Sequence, residues 1–311
     1  MKVVVAFFKL VRWPNLVFIF LTQLLYYYCI LEFVHRRSNT GAPILPETYF
    51  YLLALASLFI AAGGYIINDY FDLNIDTVNK PSRIIIDRFI KRRVAILLHL
   101  TFSFVGIFLS AYVGYRLQNI YIPTFNLLSV LLLWVYSTRF KKKILVGNII
   151  ISLLTSWVLL VLMVSVYPVI DSLNPIEKPK LLRVSFLYAG FAFIISLIRE
   201  VIKDMEDING DLRYGCQTMP IVWGIPVSKV FTAVWLIVLI SALTIVQFYI
   251  WSIGWGWSTL YIILLIIIPL ILILKKLYSA NTIEHYHQLS SFVKLVMFTG
   301  ILSMIFFRLY L

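Results

Sequence analysis

The chain has 311 residues, of which 61% are hydrophobic and only 13% charged, and it carries a formal net charge of +13. Soluble domains are about 45–50% apolar and about 25% charged, so this composition excludes an ordinary soluble globular protein. The 27 Lys and Arg against 14 Asp and Glu could point to nucleic acid. Here, however, the bases fall in short loops between apolar runs, which fits membrane topology and anionic headgroups and gives no reason to expect a nucleic-acid partner.

A bilayer-spanning helix needs about 20 mostly apolar residues. Nine stretches qualify: 14–33, 47–67, 94–115, 119–137, 146–168, 184–202, 229–251, 256–274 and 290–310. Residues 1–12 are mildly basic. They lack a small-residue cleavage site after the first apolar stretch, so no removable signal peptide is expected. The third and fourth stretches are separated only by residues 115–119. The 171–183 loop, with Pro175 and Pro179, reads as an external connection. Lys294 and Arg308 lie near the two ends of the last stretch, where both can snorkel. No boundary is visible, so residues 1–311 are expected to form a single transmembrane domain. Cys29 lies in an apolar run and Cys216 in a polar loop, a pattern of neither a metal quartet nor a disulfide framework.

Orientation follows from the basic residues. With the N-terminus cytoplasmic, 20 Lys and Arg fall on that side and seven on the other (Arg36, Arg37, Arg116, Lys178, Lys180, Arg183 and Arg308). Nine spans then put Leu311 outside. The expected localisation is integral to the membrane, the cytoplasmic membrane in a bacterium, with the polar loops that follow the even-numbered stretches facing the cytoplasm.

Those loops hold the chemistry. After the second stretch come Asn68, Asp69, Asp72 and Asp76. Asn68, Asp72 and Asp76 are spaced by four and share one face of a helix. After the sixth come Glu200, Lys203, Asp204, Glu206, Asp207 and Asp211. There Asp204, Asp207 and Asp211 are spaced three and four, and share a face if the helix continues that far. Gly210 and Gly215 predict that it soon ends. An ionised acid near the membrane interior costs at least ~2.5–3.5 kcal/mol, and functional pairing is the usual explanation. All-oxygen donors of this kind suit Mg²⁺, which takes one or two carboxylates and completes its shell with water and substrate phosphate. Asn68, Asp72, Asp76, Asp204, Asp207 and Asp211 are therefore the expected Mg²⁺ ligands. Two opposed carboxylate clusters form a clamp for a diphosphate, with Asp72 and Asp207 as its essential members. Lys80 and Arg83 follow the first cluster, Lys142 lies in the basic run 141–143, and Lys203 lies in the second cluster. With Asn68, these are the expected diphosphate or phosphate contacts; Arg offers a planar fork and Lys a point charge. The alternative for each base is plain positive-inside topology.

At these residues the chain resembles a known family. The segment NDYFDLNIDTVNKPSR, 68–83, is similar to the first aspartate-rich motif of the UbiA prenyltransferases. REVIKDMEDINGDLRYGCQTMP, 199–220, is similar to the second. Arg12, Trp13, Pro14 and Asn15 resemble the start of the first span. Tyr136 and Ser137, with Lys141 to Lys143, Gly147 and Asn148, resemble the central region. The resemblance implies an all-α integral membrane fold, nine transmembrane helices around a central cavity capped by cytoplasmic loops. It also implies Mg²⁺-assisted ionisation of a polyprenyl diphosphate and capture of the allylic cation by a lipophilic acceptor.

Asn79, Lys80 and Pro81, and the run Lys-Asp-x-Glu-Asp-x-x-Gly-Asp at 203–211, most resemble the geranylgeranylglycerol-phosphate geranylgeranyltransferase branch. That branch commonly has Arg-Pro-Ile-Pro-Ser-Gly where this chain has Arg83, Ile84, Ile85, Ile86 and Asp87. A quinone-precursor prenyltransferase acting on an aromatic acceptor is the alternative. No obligatory protein partner is indicated beyond the surrounding lipid.

Among the aromatic residues Tyr65, Tyr70 and above all Tyr136 are placed to stabilise an allylic cation. His285 and His287 are two apart and do not share a helical face, so they are not expected to be a metal pair; His99 is expected to make a hydrogen bond in the core. A transporter with acidic gates is the rival class. It would want ionisable residues deep in several spans, and Asn15, Gln23 and His99 are the main polar interruptions.

Overall fold

The computed structural model describes residues 2–38, 43–173 and 175–310. The side chains of Lys2, Arg83 and Ser172 fall outside this description. The expected site contact Arg83 and the expected external residue Leu311 therefore lie outside the described residues.

Among the described residues nine helices are long and apolar enough to cross a membrane: Trp13–Ser38, Glu47–Asn79, Arg92–Arg116, Tyr121–Thr138, Val146–Ser165, Glu177–Glu206, Gly224–Ser252, Gly256–Ser279 and Ile283–Leu309. They are the first to ninth spans below, and each answers one predicted stretch. Among the described residues the one β feature is an isolated bridge between Ile86 and Ile90. The ninth span starts at Ile283 and not near 290. Thr282 caps it by accepting a hydrogen bond from the His285 N–H, so the polar residues Glu284, His285 and His287 belong to its first turns. A window seeking apolar runs passes over such a start. The short break between the third and fourth spans is real: Gln118 adopts φ 51 and the Asn119 N–H bonds the Gly114 carbonyl at 2.8 Å.

The chain separates into two compact units. The first comprises residues 1–141 and 157–186, the second 142–156 and 187–311. In the first unit the second and third spans pack closely. A Cβ on Gly106 would lie 2.6 Å from Ile60 Cγ1 and 3.1 Å from the Ala56 carbonyl, so only glycine allows this approach. Two buried polar groups on the third and fourth spans find partners across helices. Asn126 donates to Ser110 Oγ at 2.7 Å and accepts from Trp157 Nε1 at 2.8 Å. His99 Nδ1 hydrogen-bonds the Gly63 carbonyl at 3.0 Å, the core role expected for it.

In the second unit the sixth to ninth spans contribute apolar residues at helical spacing: Ile195, Ile198, Ile202 and Met205; Leu236, Leu239 and Leu243; Ile266, Leu270, Ile273 and Leu277; Leu289, Val293 and Val296. Steps of three and four place each set on one face, and the sets pack as a continuous core.

Candidate active site

The second span has 33 residues and is about 50 Å long at 1.5 Å per residue. The hydrocarbon layer is about 30 Å thick, so the helix outruns it by several turns. Asn68, Asp69, Asp72 and Asp76 sit on this extension, and the helical spacing read from the sequence holds. Asn68 Nδ2 donates to Asp72 Oδ2 at 2.7 Å, which places the two on one face. Asp72 is buried and also forms an ion pair with Lys141 Nζ. Burial opposes the charge on the Lys141 ammonium, but the Asp72 carboxylate, the Tyr136 phenol and Asp76 more than offset it and raise its pKa above the ordinary lysine value. Asp69 pairs with Arg12 at 2.6 Å, and the Arg12 guanidinium lies 5.1 Å from the Tyr65 ring centre. Lys80 ends the helix, its N–H bonding the Asp76 carbonyl at 2.9 Å.

Among the described residues Asn68 Oδ1 is buried without a hydrogen-bond partner. A buried orphan acceptor is costly, and here it stands beside two carboxylates spaced along the same face. An oxygen-only donor set with one oxygen left over suits a hard cation such as Mg²⁺. No three His, Cys, Asp or Glu side chains among the described residues are already gathered around a point that could hold a metal ion.

The second cluster lies in the other unit and departs from the expected single face. The sixth span ends at Glu206. Asp207 has φ −92 and ψ 7 and precedes the short helix Ile208–Arg213, making no side-chain cap hydrogen bond to it. Asp204 therefore belongs to the span, Asp207 to the junction and Asp211 to the next helix. Gly215 at φ 68 turns the chain out, and the Cys216 N–H returns to the Asp211 carbonyl at 2.9 Å. Asn148 Nδ2 donates to Asp204 Oδ2 at 2.8 Å. Glu200 pairs with Arg199 at 2.9 Å and Lys203 at 3.4 Å. Glu206 pairs with His287 Nδ1 at 2.9 Å, while His285 Nδ1 accepts from the Asn281 N–H; the two histidines thus have separate partners.

Tyr136 is half-buried near the end of the fourth span. Tyr65 is engaged by Arg12, and Tyr70 packs against Phe71 and the core around Ile66. The Lys142 side chain is exposed, and its carbonyl accepts from the Gln217 N–H at 2.8 Å. In the 141–143 run it is Lys141 that reaches an acid of the first cluster. Lys141, Arg12, Asn148 and His287 were not singled out as site residues. Asn148, Arg12 and Lys141 each lay in segments that resemble the family. No sequence signal pairs any of them with its carboxylate, because the separations run from 56 to 81 residues.

The UbiA prenyltransferase family matches residues 38–298. A digeranylgeranylglyceryl phosphate synthase of Sulfurisphaera tokodaii is 30% identical over 298 residues, spanning 94% of this chain and 96% of the relative. A solved structure of a digeranylgeranylglyceryl phosphate synthase superposes with TM-score 0.63 at 23% identity, over 100% of both chains. A UbiA homologue from Archaeoglobus fulgidus bound to DMAPP and Mg²⁺ superposes with TM-score 0.58 at 14% identity, over 96% of this chain and 99% of that one. The two superpositions establish the fold, and the family match sets aside the transporter reading.

Proposed function

We propose a specific reaction for this chain, which belongs to the UbiA prenyltransferase family and is an integral membrane prenyltransferase. It moves a geranylgeranyl group from its diphosphate to the hydroxyl of a prenylglycerol phosphate, with Mg²⁺ as cofactor. Residues 1–311 act as one transmembrane prenyltransferase domain.

The observation that carries this reading is the second-span extension: Asn68, Asp72 and Asp76 on one face, an orphan amide oxygen, and Lys141 drawn onto Asp72. Asn68, Asp72 and Asp76, and Asp204, Asp207 and Asp211, are the residues that would hold Mg²⁺ for the diphosphate. Bound there, Mg²⁺ supplies neutralisation of the diphosphate and of the charge on the leaving group. Lys80, Arg83, Lys142, Lys203 and Lys141 add donors to the phosphate oxygens. The allylic C–O bond of the donor breaks, the acceptor hydroxyl oxygen bonds to the freed carbon, and its proton passes to a carboxylate or to the released diphosphate. Bringing two phosphate-bearing substrates together in a medium of reduced dielectric calls for several cations, and the bases near both clusters supply them. The name carried by the 30% identical relative supports the acceptor.

A competition assay tests the acceptor. With geranylgeranyl diphosphate limiting and prenylglycerol phosphate, hydroxybenzoate and dihydroxynaphthoate all present, mass spectrometry should find an ether lipid as the main product. Predominant prenylation of either aromatic acid would move the chain to the quinone-precursor reading and leave the enzyme class standing.

Tyr136 is proposed to face the allylic cation with its ring. Tyr136→Phe should then keep most of the turnover, while Tyr136→Ala should lose up to about 30-fold, the equivalent of ~2 kcal/mol for a desolvated cation–π contact. Equal losses in both variants would assign the role to the hydroxyl.

The termini are proposed to lie with residue 1 in the cytoplasm and residue 311 outside. A reporter inserted near Arg92 should read as cytoplasmic and one fused after residue 311 as external, and the reverse pattern would overturn the orientation.

A further inference from the structure

The first unit carries a short helix, Lys2–Leu10, joined to the first span by only two residues. Its nine residues make about 13 Å of helix, too short to cross a bilayer. One face is committed to the protein. Ala6, Leu10 and the following Val11 are buried, and Leu10 and Val11 pack with Ala62, Ile66, Ala95, Ile86 and Ile90. The opposite face is apolar and open. Val4, Val5 and Phe8 lie within three or four residues of one another and are 58%, 51% and 51% exposed. A helix that is apolar on both faces, with only one covered by protein, requires a second apolar medium.

The same cluster contains the loop in which this chain departs from the Pro- and Gly-rich pattern of its nearest branch. Ile86 and Ile90 enter the core beside Leu10 and Val11. Asp87 makes the turn at φ 67 and is held by Arg92 Nε at 2.6 Å. This leaves Phe89 outward beside the Arg88 guanidinium. Residues 84–93 hold four bases, Arg88, Lys91, Arg92 and Arg93, against the single acid Asp87. All four are exposed, as is Lys9 on the helix. The open apolar face and the basic residues thus belong to one packed element at the end of the second span.

We infer that the helix Lys2–Leu10 and the 84–93 loop form a single anchor that sits in the headgroup layer of an anionic bilayer. Val4, Val5, Phe8 and Phe89 enter the acyl boundary and the bases meet lipid phosphates, the arrangement of an interfacial amphipathic helix. The bilayer is the occupant because the two-residue link fixes this element at the end of a span. The exposed Trp13 at the same end is a residue type that favours the headgroup level. The anchor ends at Arg12, in the left-handed conformation at φ 52, and Arg12 holds Asp69. Seating the helix in lipid therefore restrains one acid of the first cluster. The anchor itself does not rest on the proposed reaction.

The test uses the full chain in nanodiscs, with Cys29 and Cys216, both buried, replaced by Ala and a nitroxide placed at Val4→Cys. Discs contain phosphatidylcholine alone or with one-third phosphatidylglycerol. Collision with oxygen, which concentrates in lipid, should exceed collision with a water-soluble nickel chelate at least threefold in the anionic discs. That preference should weaken in phosphatidylcholine alone, at high salt, and in an Arg88→Glu, Lys91→Glu, Arg93→Glu variant. A label as open to the nickel chelate as one in water would overturn the inference. So would a lipid-buried label indifferent to phosphatidylglycerol, or one shielded from both reagents, as in a protein–protein contact.

Discussion

Asp72→Ala and Asp207→Ala are each expected to lower turnover by at least about 10²–10³-fold, the scale seen when one preorganised group facing developing charge is removed, while the protein still inserts and folds. The two residues lie in different units, one on the continuous second span and one at the junction after the sixth. If both clusters serve a single diphosphate, losing either leaves the leaving group uncompensated, and the double variant should be scarcely worse than either alone. Groups that act as a unit are non-additive in this way. Product formation from labelled prenyl diphosphate measures the effect, with size-exclusion behaviour as the control for folding. Near-normal activity in either single variant would remove that cluster from the site.

The second large effect is expected at Lys141. Its ammonium is the partner of a buried carboxylate, and stranding a fully buried charge costs about 3–5 kcal/mol. The group stranded by loss of the ammonium is Asp72, which is buried. Lys141→Met should lower the melting temperature of the metal-free protein by at least about 3 °C. Mg²⁺ should then restore stability to the variant by more than it adds to the unsubstituted protein, because it replaces the missing charge on Asp72. Turnover should also fall, since a donor to the diphosphate is lost. The raised pKa of Lys141 fixes the pH behaviour. A lysine raised on folding contributes fully below its unfolded value of about 10.4 and loses that contribution only as pH rises through the folded value. The lysine's own contribution should therefore not change from pH 6 to 9, and any narrowing of the stability difference in that range reports protonation of the carboxylates it faces. An unchanged melting temperature together with an unchanged Mg²⁺ response would falsify the assignment.

The loop after Arg83 shows how local pattern and tertiary packing divide the work. Read along the chain, Ile84, Ile85, Ile86 and Asp87 are a departure from the branch that most resembles this one. In the fold the departure has a physical form. Ile86 joins the core beside Leu10 and Ile66, and Asp87, one of the few non-glycine residue types enriched at positive φ, makes the turn at φ 67. The run is thus a packed alternative to a proline-rich loop, and the cluster that precedes it is undisturbed.

What the sequence by itself determined is whatever depends on neighbours within one helix. The nine spans follow from apolar length, because a bilayer leaves the backbone no partner but itself. The shared face of Asn68, Asp72 and Asp76 follows from a spacing of four, and the family from two local acidic motifs. Tertiary structure alone decided who compensates those acids: Lys141 for Asp72, Arg12 for Asp69, Asn148 for Asp204, His287 for Glu206. It also ended the sixth span at Glu206, so that Asp207 and Asp211 leave the line of Asp204. Periodicity records which side of its own helix a residue faces. A charge held across helices depends instead on which distant segment packs there, and that is set by the burial of apolar faces such as those around Ile66 and Val293, to which the charged residues themselves contribute nothing.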